Sequence, residues 1–250
     1  MIRAWIFDLD GTLVQTERLK AWSYERAAVE LCPHDISEGE VFNAFKDVVG
    51  RSRAEVAQSL VERFELEGKA SARMADFGVQ TPWQAFVQVR LRHYEAMLDD
   101  PEILIRNQWP HNVELLKQAR REGCKTALAT MSGCERTTQV LDVLGLADEF
   151  DFVATRDDVD HGKPDPEIYR LTTSALAIPP EESLVIEDSP SGVKAALGAG
   201  VNVIAVSTPF TRKTLHAADL LPEERIVDDP ETLPDVLERF MREHEREVHM

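Results

Sequence analysis

Cysteine is scarce in this chain: three residues in 250, Cys32, Cys124 and Cys134. They are odd in number and not spaced as metal ligands, so a disulfide framework and a thiolate metal site are both set aside, and reduced thiols in a cytoplasmic protein are expected. No apolar run approaches the roughly 20 residues of a membrane-spanning helix. The first strand-like run begins at Ala4, and on that basis no signal peptide and a cytoplasmic location are expected. Internal repeats and long low-complexity segments are missing too. Positive charge is in short supply: 28 Lys and Arg stand against 45 Asp and Glu, a net charge of −17. That balance argues against nucleic acid or an anionic membrane as partner. It also repels small anions at long range, and a salty cytoplasm would account for it.

What is present is enough length for one large or two modest domains with a real core. The chain is organised around the stretch Trp5–Leu13. Ala4 to Phe7 is a short apolar run with β-branched and aromatic character, which reads as a buried strand. It stops at Asp8, and Gly11 breaks any continuation. Residues two apart in an extended chain point the same way, so Asp8 and Asp10 can face one small space. Carboxylates that close repel unless a cation lies between them or one takes a proton. An Asp-rich turn capping the strand is the structural alternative.

Arg18 to about Asp100 is rich in Ala, Glu, Arg, Leu and Gln. Trp22, Ala27, Ala28 and Leu31 recur at helical spacing, as do Val56, Leu60 and Phe64, and then Phe86, Val89, Leu91 and Tyr94. This segment reads as all-helical. From Trp109 helices and strands alternate. Strands are expected at Thr126–Ala129, Phe152–Thr155, Leu184–Ile186 and Val201–Val206, the last clear one. Such alternation calls for a doubly wound parallel sheet with helices on both faces, an α/β fold. The strand at Ala4–Phe7 needs that sheet as its partner. Residues 1–15 and 103–250 therefore form a core, and 16–102 an inserted helical domain.

Several polar clusters then share an address. Asp8 and Asp10, Thr130 and Ser132, and Glu187 and Asp188 each follow the carboxyl end of a strand, and Lys163 lies in the loop after Phe152–Thr155. Ligands of open parallel sheets bind along that edge. Each cluster alone has a structural explanation as a cap, a turn or a solvated charge; four at four strand ends point to a site. Acidic side chains at Asp8, Glu187 and Asp188 suit Mg²⁺, a hard cation. A lysine, a hydroxyl and Mg²⁺ together would hold a phosphoryl group. One aspartate can attack phosphorus, and the other can move the proton.

Asp-Leu-Asp-Gly-Thr-Leu (8–13), Leu-Ala-Thr (128–130), Gly-Lys-Pro-Asp-Pro-Glu-Ile-Tyr (162–169) and Ile-Glu-Asp-Ser-Pro-Ser-Gly-Val (186–193) resemble, in order and context, the four motifs of the haloacid-dehalogenase superfamily. The helical insert resembles the cap of the subgroup holding β-phosphoglucomutases and sugar-phosphate phosphatases. The resemblance implies Asp8 as nucleophile and Asp10 as general acid/base, its carbonyl also facing Mg²⁺. It implies Thr130 on a phosphate oxygen, Lys163 balancing the charge, and Asp188 with Glu187 anchoring the metal. An acid at position 10 favours phosphate esters over carbon–halogen bonds.

Gly50-Arg51-Ser52-Arg53 resembles a substrate-contacting segment of such caps, and a helix start with solvated arginines is the alternative. Arginine suits bidentate recognition of a second phosphate or of hydroxyl-rich groups. Lys20, with Ser132, completes the expected substrate contacts, although Lys20 and Gln15 stand where mutases of the group often carry His and Asp. The seven histidines form no ligand spacing, and His161 reads as a loop residue. The expectation is a Mg²⁺-dependent phosphatase of a small phosphorylated metabolite, a sugar phosphate by preference, acting as a monomer or weak dimer. A hexose-phosphate mutase and a non-catalytic binding protein are the alternatives.

Overall fold

The computed structural model describes residues 1–37, 39–49 and 52–248, apart from the side chains of residues 247 and 248. Arg51 therefore lies outside the described residues. The chain forms two compact units, Met1–Gln15 with Leu104–Met250, and Thr16–Ile103.

The first unit is built on a six-stranded sheet. Its strands are β1 (Ala4–Phe7), β2 (Lys125–Ala129), β3 (Phe152–Ala154), β4 (Ser183–Glu187), β5 (Asn202–Val206) and β6 (Ile226–Val227). All neighbours pair in parallel, in the order β3-β2-β1-β4-β5-β6. Every residue of β1 is buried, as expected of a central parallel strand covered on both faces. β4 is likewise buried throughout, and a shared core runs from Ile6 through Ala127, Val185 and Val203 to Ile168, Tyr169 and Val193 on the helices. The strand order reverses on either side of β1, and that reversal opens the crevice where ligands of such sheets bind.

Sequence periodicity indicates five strands, and the sixth, β6, is the addition. It has two residues, Ile226 and Val227, and pairs only with the end of β5. A run that short carries no periodicity to read.

Register fixes the site. Phe7 is level with Leu128 on one side and Ile186 on the other. Asp8 is thus one step beyond the sheet, beside the ends of β2 and β4, and its N–H donates to the Ile186 carbonyl at 3.1 Å. The turn after it is tightly tied. Leu13 and Val14 N–H groups both reach the Leu9 carbonyl, and Gly11 N–H reaches that of Val14 at 2.7 Å. The buried Asn112 amide donates to the Thr12 carbonyl at 2.6 Å.

The second unit is helical in all its regular elements among the described residues, with Thr16–Leu31, Arg53–Arg63 and Pro82–Leu98 the longest helices. Ser52 caps the second in a reciprocal capping box with Glu55, which satisfies two otherwise orphaned N–H groups. Pro82 opens the third at a position where its missing N–H costs nothing. Tyr24 packs between Phe45 and Phe86, with ring centroids 5.5 and 5.7 Å away, and Leu19, Ala27, Leu60, Val89 and Met97 fill the rest of this core.

Candidate active site

Asp8, Thr130 and Asp188 each come directly after a strand, those strands being β1, β2 and β4, so three segments far apart in sequence deliver polar groups to one point. Lys163 arrives from the loop after β3. Its side chain is only 4% exposed, and its ammonium donates to Asp8 Oδ1 at 2.7 Å, to Glu187 Oε1 at 2.7 Å and to the Ala129 carbonyl at 2.9 Å. All three donor positions of the amine are used. The ring of Tyr169 covers it, 5.0 Å from the nitrogen.

Glu187 is fully buried and heavily bonded. Besides Lys163, its Oε1 accepts from the Tyr169 hydroxyl at 3.1 Å. Its Oε2 accepts from the Asp188 N–H at 2.9 Å, the Ser189 N–H at 3.0 Å and the Ser189 hydroxyl at 3.1 Å. A Cβ on Gly192 would lie 1.7 Å from Oε1, so only glycine at 192 leaves room for this carboxylate.

Asp10 turns elsewhere. Its Oδ2 accepts the Ser132 hydroxyl at 2.6 Å and the Thr130 hydroxyl at 3.4 Å, and the Thr130 hydroxyl accepts the Ser132 N–H at 3.1 Å. Thr130, expected on a phosphate oxygen, and Ser132, expected on the substrate, both donate to Asp10 in this structure.

Asp8, Glu187 and Asp188 bring one carboxylate oxygen each within 4.8 Å of the others. Asp8 and Glu187 share the one ammonium, and Asp188 adds a third carboxylate beside them. Burial pushes the Asp8 carboxyl from its ordinary value of 3.8 up to about 7, with Glu187 and Asp10 adding to the rise and Lys163 opposing it. Burial alone would lower Lys163, but Asp8 and Glu187 outweigh it and hold the amine well above its ordinary value, so it stays charged. The negative excess, made only of hard oxygen ligands, fits a divalent cation of the Mg²⁺ kind. The approach of the first turn fits as well. Gly11 has φ of +92°, and a Cβ there would meet Asp188 Oδ2 at 2.1 Å, so the backbone makes way for that carboxylate. Gly11→Ala forces both a left-handed alanine and a displaced Asp188. The expected result is a folded protein whose melting temperature no longer rises on adding Mg²⁺, measured by thermal denaturation beside the parent.

In the helical unit, Lys20 pairs with Glu17 at 3.0 Å, and Arg53 is the exposed first residue of its helix. The residue that sequence reasoning missed is Arg90. It is 5% exposed, its guanidinium lies 5.1 Å from the Tyr24 ring and 4.3 Å from that of Tyr94, and its Nε has no hydrogen-bond partner. Burial lowers Arg90 from its ordinary value. Burial raises the Tyr24 phenol, while the charges of Arg90, Arg53 and Lys20 pull it back. Lys20, Arg53 and Arg90 thus act on one tyrosine. A cation at a helix position next to Val89 reads in sequence as a solvated charge; only Tyr24, far earlier in the chain, shows that it is enclosed.

The family model of the haloacid dehalogenase-like hydrolases matches residues 5–206, and the chain belongs to that family. Among curated relatives, the phosphorylated carbohydrates phosphatase of Thermotoga maritima is 32% identical over 205 residues, 81% of this chain and 84% of its own. Protein CbbY of Cereibacter sphaeroides is 29% identical over 221 residues, 85% of this chain and 87% of its own. The solved structure of beta-phosphoglucomutase from Clostridium difficile superposes with a TM-score of 0.63 at 22% identity, covering 100% of both chains, and shows the same fold. The chain is an enzyme of the hydrolase class, and phosphatases of phosphorylated metabolites recur among its relatives.

Proposed function

We propose that this protein is a Mg²⁺-dependent phosphomonoester hydrolase acting through an aspartyl-phosphate on a small phosphorylated metabolite, a sugar phosphate by preference. The observation that carries the reading is the convergence on Asp8: a buried carboxylate 2.7 Å from the Lys163 amine, within reach of Asp188. Asp8, Glu187 and Asp188 would hold the cation, with the Asp10 carbonyl beside them, and a bound Mg²⁺ would supply charge neutralisation to the phosphoryl group.

Asp8 attacks phosphorus, and the bond from phosphorus to the ester oxygen breaks as the new one forms. Asp10 gives its proton to the leaving oxygen, which departs as the free alcohol. Asp10 then takes a proton from water as that water attacks phosphorus, releasing inorganic phosphate and restoring both aspartates. Ser132 and Thr130, on Asp10 Oδ2, orient the general acid between turnovers. Lys163 offsets the negative charge of nucleophile and phosphate throughout.

The cationic group of the helical unit supplies the specificity. Arg53, exposed at the start of its helix, is suited to a second anionic or hydroxyl-rich part of the substrate. A charge-assisted hydrogen bond of about 1.5 kcal/mol corresponds to roughly a tenfold change in affinity. Arg53→Ala is expected to raise KM for good substrates by about that factor at unchanged melting temperature. An unchanged KM would return Arg53 to the reading of a solvated surface charge.

Free phosphate released from a panel of sugar phosphates, with Mg²⁺ and with chelator, tests the main reading. Release that requires Mg²⁺ is the expected result. Interconversion of glucose 1-phosphate and glucose 6-phosphate with little release would make the protein a mutase, and neither reaction would make it a binding protein.

A further inference from the structure

A cleft in the first unit shares no residue with the site at Asp8. It lies between the helix Pro110–Arg121 and the C-terminal helix Leu233–Val248. We propose that this cleft is a second ligand site, one that takes a small organic ammonium ion with an aromatic or branched apolar body. The proposal is independent of the phosphatase reading.

The cleft holds about 380 Å³, a volume within the range of small-ligand sites. Its floor is apolar. Trp5 comes from β1, its ring stacked on Phe7 with centroids 6.5 Å apart. Leu115 and Ala119 come from one helix and Leu233 and Leu237 from the other, and all five side chains are buried. Water over such a floor has few partners, so an apolar group that displaces it is favoured. The mouth is polar. Glu114, Gln118 and Glu122 follow one another along the first helix at the spacing of a single face, and Glu238 stands on the second.

That mouth selects the sign of the ligand. Three carboxylates line it against one imidazole, that of His111, and no Lys or Arg is among the lining residues. Glu122 accepts from the neutral Gln118 amide at 2.9 Å, and among the described residues no cation forms a salt bridge with it. It is also the C-cap of its helix, where the last backbone carbonyls add to the negative field. Glu114 pairs with Arg121 at 2.6 Å and Glu238 with Arg242 at 3.1 Å. Both pairs are exposed, and exposed pairs are given up at little cost. The net charge of −17 reinforces the same sign. An anionic ligand is turned away and a neutral one leaves the carboxylates unused. An ammonium ion satisfies the mouth while its carbon body covers the floor.

Calorimetric titration of the full chain with 2-phenylethylamine, beside 2-phenylethanol and 3-phenylpropanoate, tests this. The three probes share a ring and differ in charge. The amine is expected to bind once per chain, about tenfold more tightly than the alcohol, the worth of one charge-assisted hydrogen bond. The acid should bind more weakly than either, and the amine's affinity should fall as salt is raised. Combining Glu114→Gln, Glu122→Gln and Glu238→Gln, all at exposed positions, is expected to remove the amine's advantage over the alcohol. Gln118→Trp, also at an exposed position, sets an indole across the mouth and is expected to abolish binding. Asp188→Asn should bind the amine as the parent does, which separates this cleft from the acidic site. No saturation by roughly 10 mM amine, equal affinities for the three probes, or binding that survives Gln118→Trp would overturn the proposal. So would a parent that sediments as a dimer and a Gln118→Trp variant that sediments as a monomer, since a second copy of the chain would then be the occupant.

Discussion

Asp8→Asn is expected to remove phosphate release altogether, by a factor of about a thousand or more, while the protein folds and its metal-free form becomes more stable at pH 8. The amide is the same size as the carboxyl, so the packing at the end of β1 is unchanged, and Lys163 keeps Glu187 and the Ala129 carbonyl. What is lost is the nucleophile, and no neighbour can replace it: Asp10 is bound to Ser132 and Thr130. The barrier then rises toward that of the uncatalysed reaction.

The stability gain follows from the sign of the titration. In the folded, metal-free protein Asp8 holds its proton up to about 7, whereas the unfolded chain releases it near 3.8. Between those values the folded state binds more protons than the unfolded one, so this group's contribution to stability declines as pH rises through the window and is flat above it. Asparagine does not titrate, and the difference between variant and parent should grow from pH 5 to pH 8, to the order of a few kcal/mol. Mg²⁺ reverses the picture for the parent, because the cation competes with the Asp8 proton. Its stabilising effect is expected to be larger at pH 8 than at pH 6, and absent in Asp8→Asn. Thermal melts at three pH values, with Mg²⁺ and with chelator, read all of this. A parent whose melting temperature responds to Mg²⁺ equally at pH 6 and pH 8 would remove the buried proton from the account.

Much of this architecture was legible because it is local. Ala4–Phe7 ends on an acid, and so does Leu184–Ile186; where a buried apolar run meets charge, a parallel strand has reached its carboxyl edge. The partition of roles inside the site was less legible, since motif spacing says which residues meet and not which atoms bond. Ser132 read as a substrate contact, and its bond to Asp10 was not legible. Tyr169 read as the end of a motif, and its value lies in an oxygen on Glu187, 18 residues on. Arg90 was invisible for the same reason. Its enclosure depends on Tyr24, on another helix, and no window of local sequence contains both. The acidic cluster shows the general limit: charge composition gives a net −17 for the chain, but only the fold gathers Asp8, Glu187 and Asp188 at one point, two of them on one amine.

Lys163→Met should produce the largest loss of stability of any single change at the site, together with loss of turnover. The amine's side chain is 4% exposed, and its partners Asp8 and Glu187 are 8% and 1% exposed. Removing one member of a buried ion pair leaves the other charge without compensation and costs about 3–5 kcal/mol. Here one amine serves two acids, so the upper part of that range is expected. Methionine fills the volume and adds no void, which isolates the electrostatic effect from packing. The stranded Asp8 carboxyl can recover only by taking a proton, so its folded value rises further above the unfolded one. The deficit should therefore be small near pH 5 and grow as pH rises, measured by urea denaturation at pH 5.5 and pH 8. A second change decides whether the effect is the stranded charge: Asp8→Asn in the Lys163→Met background removes one of the two acids. The double variant should be more stable than Lys163→Met alone at pH 8. If the two substitutions simply add, Lys163 and Asp8 are not coupled, and the ion pair at 2.7 Å does not organise this site.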